Sequence, residues 1–271
     1  MNAVAIGPLA FDAERLAAIA GLVAFLALTS FLAWRVDDKL ARWSTWTAFS
    51  GVAGARAVHV LQHLDGFLSE PWRIFALWQG GFSWAGGAAA VVTMMVILFV
   101  RDRRLFAWGA AGVVAGVTIT GVTAFLTFSR THVPPLDVSL PSLKGDQVAI
   151  GGGGRPIVLN LWATWCPPCR RELPMMAEIA DGATGVDFLF ANQGEQSAQV
   201  DRYLRGQRPT LREVVLDPQM TLSRHYSAVG LPATLFLAED GTVMASHLGE
   251  ISREVLIQQI ERLTDREGNL Q

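Results

Sequence analysis

The chain has 271 residues, 51% of them hydrophobic, with nine tryptophans and a net charge of −2. Residues 1–133 carry ten Lys/Arg against seven Asp/Glu, a balance of +3, and residues 134–271 carry twelve against seventeen, a balance of −5. That length suits about two domains, an apolar one followed by a mildly acidic one. The absence of a basic tract excludes an ordinary nucleic-acid-binding surface, and two cysteines are too few for a disulfide-stapled scaffold.

Residues 16–34 hold no charge and are long enough to cross a bilayer. No positive region precedes them and no small-x-small site follows, so they read as a retained span and not a removed leader. Residues 43–64 form a second span, interrupted by Arg56, His59 and His63. Residues 66–79 mix Glu70, Pro71 and Arg73 with aromatics and read as interfacial. Residues 80–100 and 105–128 are the third and fourth spans. Gly112 and Gly116 in the last one have the spacing of a close helix-packing face. The basic loops, Arg35–Arg42 and Arg101–Arg104, belong on the cytoplasmic side. With about four spans, the N-terminus and everything after residue 128 then lie outside the cytoplasm, as a multi-pass inner-membrane protein with a periplasmic C-terminal half. Arg56, His59 and His63 share a helix face and form a candidate polar or lipid site, since ionisable residues inside a span are functional candidates by default.

Gly54-Ala55-Arg56, followed by Pro71-Trp72-Arg73 and by Gly80-Gly81-Phe82-Ser83-Trp84-Ala85-Gly86-Gly87, resembles the early part of prolipoprotein diacylglyceryl transferases. That family carries an essential His directly before the final Gly-Gly, where this chain has Ala85. The family's later Gly-Arg-x-Gly-Asn-Phe signature is also missing. The resemblance implies a shared scaffold, residues 1–130, with membrane-lipid contact near Arg56 and the 80–87 loop, and without the transfer chemistry.

Residues 131–136 read as a linker stiffened by Pro134 and Pro135. Residues 138–150 read as a short hairpin. The four glycines at 151–154 lack a following Lys-Ser/Thr and read as a turn, not a phosphate loop. An aliphatic strand, 157–163, then runs into Trp165-Cys166-Pro167-Pro168-Cys169, and a helix follows to about residue 181, with Pro174 inside it. Strands are expected at 186–191, 213–217, 231–237 and 243–247, and helices at 197–205, 220–226 and 252–263, the last capped by Ser252.

Cys166 and Cys169 are the only cysteines. A Cys-x-x-Cys where a strand hands over to a helix is the arrangement of a thiol-disulfide catalyst. The helix N-terminus favours a thiolate, so Cys166, the outer residue, is the expected nucleophile and Cys169 the resolving thiol. A zinc site would want further ligands, so no metal is expected. Pro167 and Pro168 fit the first helical turn, whose N–H groups have no intrahelical partner.

The element order and the Trp-Cys-Pro-Pro-Cys sequence resemble the TlpA/ResA branch of membrane-anchored thioredoxin-like proteins, across residues 137–271. The resemblance implies an α-helical membrane domain joined to an α/β thioredoxin fold, and a thiol-disulfide reductase without a bound cofactor other than its redox-active disulfide. It implies a cis Pro232, with Leu231, Trp165, Pro167 and Pro168 receiving the client. It also implies a proton-accepting role for Glu172, the counterpart of a Glu that ResA-like members carry six residues after the first cysteine. Asn160 stands where thioredoxins proper carry a buried Asp. Trp165 is expected to pack on Cys166. The implied partners are periplasmic client proteins with disulfides, apocytochrome c among them, and a separate transmembrane thiol donor. An oxidase or isomerase running the same chemistry in the other direction, and a lipid- or lipoprotein-binding scaffold carrying a redox module, are the alternatives.

Overall fold

The structure is a computed structural model that describes residues 3–6, 9–69, 71–128, 133–151, 154–206 and 210–268. It divides into two units, residues 13–130 and residues 1–12 with 131–271. The helical unit expected over 1–130 therefore starts at Ala13. Ahead of it, β1 (Ala3–Ile6) and β2 (Leu9–Asp12) pair antiparallel as a hairpin.

The helical unit contains α1 (Ala13–Arg35), α2 (Lys39–Gln62), the short α3 (Leu64–Ser69), α4 (Trp84–Arg101) and α5 (Arg103–Phe128). Helices α1, α4 and α5 are long and apolar enough to cross a membrane. The second expected span, α2, has the length, at 24 residues. It falls short in apolarity because Lys39, Arg42, Arg56 and His59 lie along it. Between α3 and α4 the backbone makes two 3-10 turns, Pro71–Phe75 and Leu77–Gln79.

Glycines set how closely these helices approach. A Cβ on Gly86 of α4 would lie 2.5 Å from the Gly54 carbonyl oxygen of α2. The Gly112 and Gly116 pair faces α1, where a Cβ would meet Thr29 at 2.5 Å and the Gly21 carbonyl at 3.1 Å. That is the packing face their spacing implies.

The second unit continues with the hairpin β3 (Val138–Pro141) and β4 (Gln147–Ile150), then β5 (Ile157–Trp162), α6 (Pro167–Gly182), β6 (Asp187–Gln193) and α7 (Ser197–Leu204). It closes with β7 (Val214–Asp217), α8 (Thr221–His225), β8 (Ala233–Leu237), β9 (Val243–Leu248) and α9 (Arg253–Gly268). The five-stranded sheet runs β7-β6-β5-β8-β9, with β5 parallel to β6 and antiparallel to β8.

All six residues of β5 are buried, because layers cover both faces of the sheet; such strands read as unbroken apolar runs. Alternation still divides them. Val158 and Trp162 join Phe188, Phe190 and Phe236 in a core that includes Leu173, Met176 and Leu256 of α6 and α9. Ile157, Leu159 and Leu161 face the other way, against Ile150, Leu222 and Tyr226. Asn160 belongs to the α6 side by the same parity, and that decides the site below.

Replacing Gly86 with Leu forces α2 and α4 apart, a cost of about 1–3 kcal/mol for overpacking. Thermal unfolding of the detergent-solubilised chain should show a lower Tm for this variant, with disulfide exchange at Cys166 unchanged.

Candidate active site

Strand β5 delivers the chain to the site and α6 leaves from it. Cys166 is the N-cap of α6, its Sγ accepting from the Cys169 amide at 3.3 Å, with Pro167 and Pro168 in the first turn. The two cysteines are joined as a disulfide, with an S–S distance of 2.06 Å and Cα atoms 5.3 Å apart. Cys169 is fully enclosed and Cys166 is 2% exposed, both inside the α6-side core. The free N–H groups at this helix end stabilise a thiolate once the disulfide opens.

One turn beyond Cys169, Glu172 is 2% exposed. The sequence suggests a half-buried carboxyl; the structure seals it. Its Oε1 accepts from Asn160 Nδ2 at 2.9 Å and its Oε2 from the Ile251 backbone N–H at 3.0 Å. Asn160 Nδ2 also donates to Thr234 Oγ1 at 3.1 Å, and residues 160 and 234 are register partners on β5 and β8. Removal from water pushes the Glu172 carboxyl from 4.5 up to about 8, against the pull of the Ile251 and Asn160 donors. Nearby Glu250 adds to the rise and Arg171 opposes it; these two pair with each other at 2.6 Å.

The Leu231–Pro232 peptide is cis, and Leu231 packs against the core that holds both cysteines. Strand β8 begins only at Ala233, so Leu231 precedes the ladder. Trp165 is 65% exposed. Its neighbour Thr164 is tied to a buried acid. The buried Glu195 carboxylate accepts from the Thr164 backbone N–H at 2.7 Å, from Thr164 Oγ1 at 2.5 Å and from Asn192 Nδ2 at 2.7 Å, and it also bonds Gln199 Nε2. Thr164 is thereby fastened inward, and the ring that follows it stands out at the rim. Sequence reasoning missed Glu195; its only signal was an acidic residue closing the β6 strand.

The structure thus gathers Cys166, Cys169, Glu172, Pro232, Leu231, Trp165, Pro167 and Pro168 in one unit. Arg56, His59 and His63 belong to the other. Arg56 is buried and engaged with backbone, donating to the carbonyls of Arg73, Ile74, Gly80 and Gly81 at 2.6–3.0 Å. His63 Nδ1 lies 2.9 Å from the His59 carbonyl oxygen. Gly81 has φ +81°, and a Cβ there would lie 2.5 Å from His59 Nε2 and 3.0 Å from the Arg56 guanidinium. This cluster braces the 71–83 segment. Among the described residues, no group of His, Cys, Asp and Glu could hold a metal ion.

The comparisons agree with this division. The prolipoprotein diacylglyceryl transferase family model matches residues 2–125 and the Redoxin family model residues 129–262. The thiol-disulfide oxidoreductase ResA of Geobacillus kaustophilus is 30% identical over 130 residues, covering 47% of this chain and 74% of that protein. The chain belongs to the ResA-type thiol-disulfide oxidoreductases. Thioredoxin-like protein YneN of Bacillus subtilis is 28% identical over 160 residues, 54% of this chain and 91% of that protein. The crystal structure of StoA from Bacillus subtilis aligns with 26% identity and a TM-score of 0.44, over 48% of this chain and 99% of that one. The C-terminal half is a thioredoxin-like redox enzyme whose Cys166–Cys169 pair forms the disulfide, and the apolar helices ahead of it anchor it to a membrane.

Two outcomes follow from the buried carboxyls. The oxidised fold keeps a proton on Glu172 between about pH 4.5 and about 8, where the unfolded chain has lost it. Stability from this group is therefore full below the lower value and falls as pH rises through the window. Urea midpoints of the oxidised chain should fall less steeply with pH in Glu172→Gln than in the wild type. Glu195→Ala leaves the Thr164 N–H and the Asn192 amide without their acceptor, at about 1–3 kcal/mol for each buried orphan. Denaturant titration should show a loss of about 2–6 kcal/mol, with a smaller loss for Glu195→Gln.

Proposed function

We propose that the chain is a multi-pass inner-membrane reductase that opens disulfides of periplasmic client proteins. The observation that carries this reading is the enclosed Glu172 carboxyl one helical turn after Cys169, on a helix whose N-terminus bears the Cys166–Cys169 disulfide. In the reduced chain, the Cys166 thiolate attacks one sulfur of a client disulfide. A mixed disulfide forms and one client thiolate leaves. Cys169 then passes its proton to Glu172, and its sulfur attacks Cys166 Sγ and expels the second client thiolate. Two electrons have moved to the client, and the chain is left with its own disulfide. A carboxyl near 8 suits this transfer, because a proton acceptor works best with a pKa near the working pH. No cofactor takes part.

Leu231, preceding the β8 ladder beside Pro232, offers backbone to an extended client segment, with Trp165, Pro167 and Pro168 forming the rim. Apocytochrome c is one client class with suitable cysteines. Regeneration needs a separate transmembrane thiol donor, because both cysteines of this chain are in the catalytic pair. Four crossings are supported by the basic loops at 35–42 and 101–104. They are supported also by β2, ahead of α1, lying beside β9 in one unit, which calls for an even number of crossings.

The test has two parts. In growing cells, acid quench and thiol alkylation should find the Cys166–Cys169 pair mostly reduced; a pair found mostly oxidised while the cell's thiol-donor systems are intact makes the protein an oxidase. With purified protein, Cys169→Ser should trap client mixed disulfides on Cys166, Cys166→Ser should trap none, and both should lose insulin-reducing turnover.

A further inference from the structure

The acceptor side of Glu172 holds a polar group whose bonding is incomplete. Asn160 is 0% exposed, and its Oδ1 has no hydrogen-bond partner while its Nδ2 serves both Glu172 Oε1 and Thr234 Oγ1. This arrangement suits an ionised Glu172, which only accepts. A protonated Glu172 must donate. Its Oε2 meets the Ile251 backbone N–H, a donor that cannot reverse. Oε1 meets an amide, which reverses by turning half a circle about its terminal bond. After such a turn Asn160 Oδ1 would accept from the Glu172 hydroxyl. The Thr234 hydroxyl would switch from accepting to donating, which a hydroxyl does freely.

We infer that Asn160 is a positioning residue whose side-chain amide turns over each time Glu172 gains or loses the Cys169 proton, so that both protonation states keep a hydrogen bond in a site closed to bulk solvent. This rests on Glu172 being the proton acceptor. The step balances without a further reactant: the proton leaves Cys169 Sγ, arrives on Glu172 Oε1, and the amide turn exchanges a donor for an acceptor. The groups acting on Glu172 are Arg171 of α6, Glu250 and the Ile251 N–H of the turn before α9, and Asn160 of β5, which Thr234 of β8 bonds in turn, while Cys169 lies one helical turn before it on α6. Arg171 and Glu250 pair with each other, which leaves Asn160 and Thr234 as the neutral groups able to exchange donor and acceptor roles. An Asp at this place could take the proton itself. An Asn can only follow it, which leaves Glu172 as the one proton store.

The experiment is infrared difference spectroscopy of the full chain in detergent, stepped across the Glu172 transition, with and without 13C-asparagine. The expected result is a protonated-carboxyl band and a label-sensitive asparagine amide band that appear together, both absent in Glu172→Gln. A carboxyl band lost in Glu172→Gln without any asparagine amide change overturns the amide turn and leaves the proton-acceptor reading standing. Absence of the carboxyl band overturns that reading, and the amide turn with it. Rates of insulin reduction against pH give a second readout. In Asn160→Leu, and in Thr234→Val should the first variant fold poorly, the rate should fall about tenfold at every pH while the Glu172 inflection moves by less than about one unit. A fixed donor predicts the opposite, an inflection raised by more than that with the alkaline plateau intact.

Discussion

A carboxyl group shut away from water one helical turn after a disulfide-bonded cysteine is the constraint around which the redox unit is arranged. Burying a charge without partners is costly, so Glu172 needs donors supplied from elsewhere in the chain. The sheet order provides one: β5 lies centrally beside β8, which sets Asn160 opposite Thr234 on the face that α6 covers. The turn before α9 provides the other through the Ile251 N–H. Helix α6 fixes the third relation, because starting it at Cys166 puts Cys169 and Glu172 one turn apart on the same side. Three separate stretches of chain must be in register to enclose this carboxyl.

Glu195 shows the other way to bury an acid. It gathers Thr164, Asn192 and Gln199, and that crowd of donors makes it a fixed anchor for the loop entering the active site. Glu172 has two donors, and one of them is reversible. Both residues are buried, yet Glu195 accepts from three residues and Glu172 from two. What distinguishes them is how many donors each meets, and side-chain type alone would not reveal it.

This explains which parts of the site were legible in the sequence. The cysteine pair, its prolines and the strand-to-helix handover are local, and local spacing reveals them. Glu172 and Pro232 came from a family resemblance, since a helical Glu and a strand-opening Pro are unremarkable by themselves. The Glu195–Thr164 bond joins residues 31 apart and the Glu172–Ile251 bond residues 79 apart, and no periodicity encodes such pairings. The strands of the sheet were easier: runs buried on both faces stand out by apolarity, and their ends were placed within a few residues.

The helical unit makes a complementary point about reading ionisable residues in apolar segments. Such residues are functional candidates by default, and Arg56 sits in the part that resembles a lipid-modifying family. In the structure its guanidinium is met by four backbone carbonyls from the broken stretch between α3 and α4. Buried backbone that leaves helical geometry needs its polar groups satisfied inside the protein. The two 3-10 turns free carbonyls that the helix ladder would otherwise use, and an arginine, with five donors in a rigid fork, can satisfy several at once. Lysine could not span them, and a shorter side chain would not reach. Gly81, with its positive φ and no room for a Cβ beside His59 and Arg56, completes the same device. Arg56 is thus a requirement of the chain path itself, so its presence carries no information about transfer chemistry. Ala85, standing where the transferases keep their histidine, is the position that does.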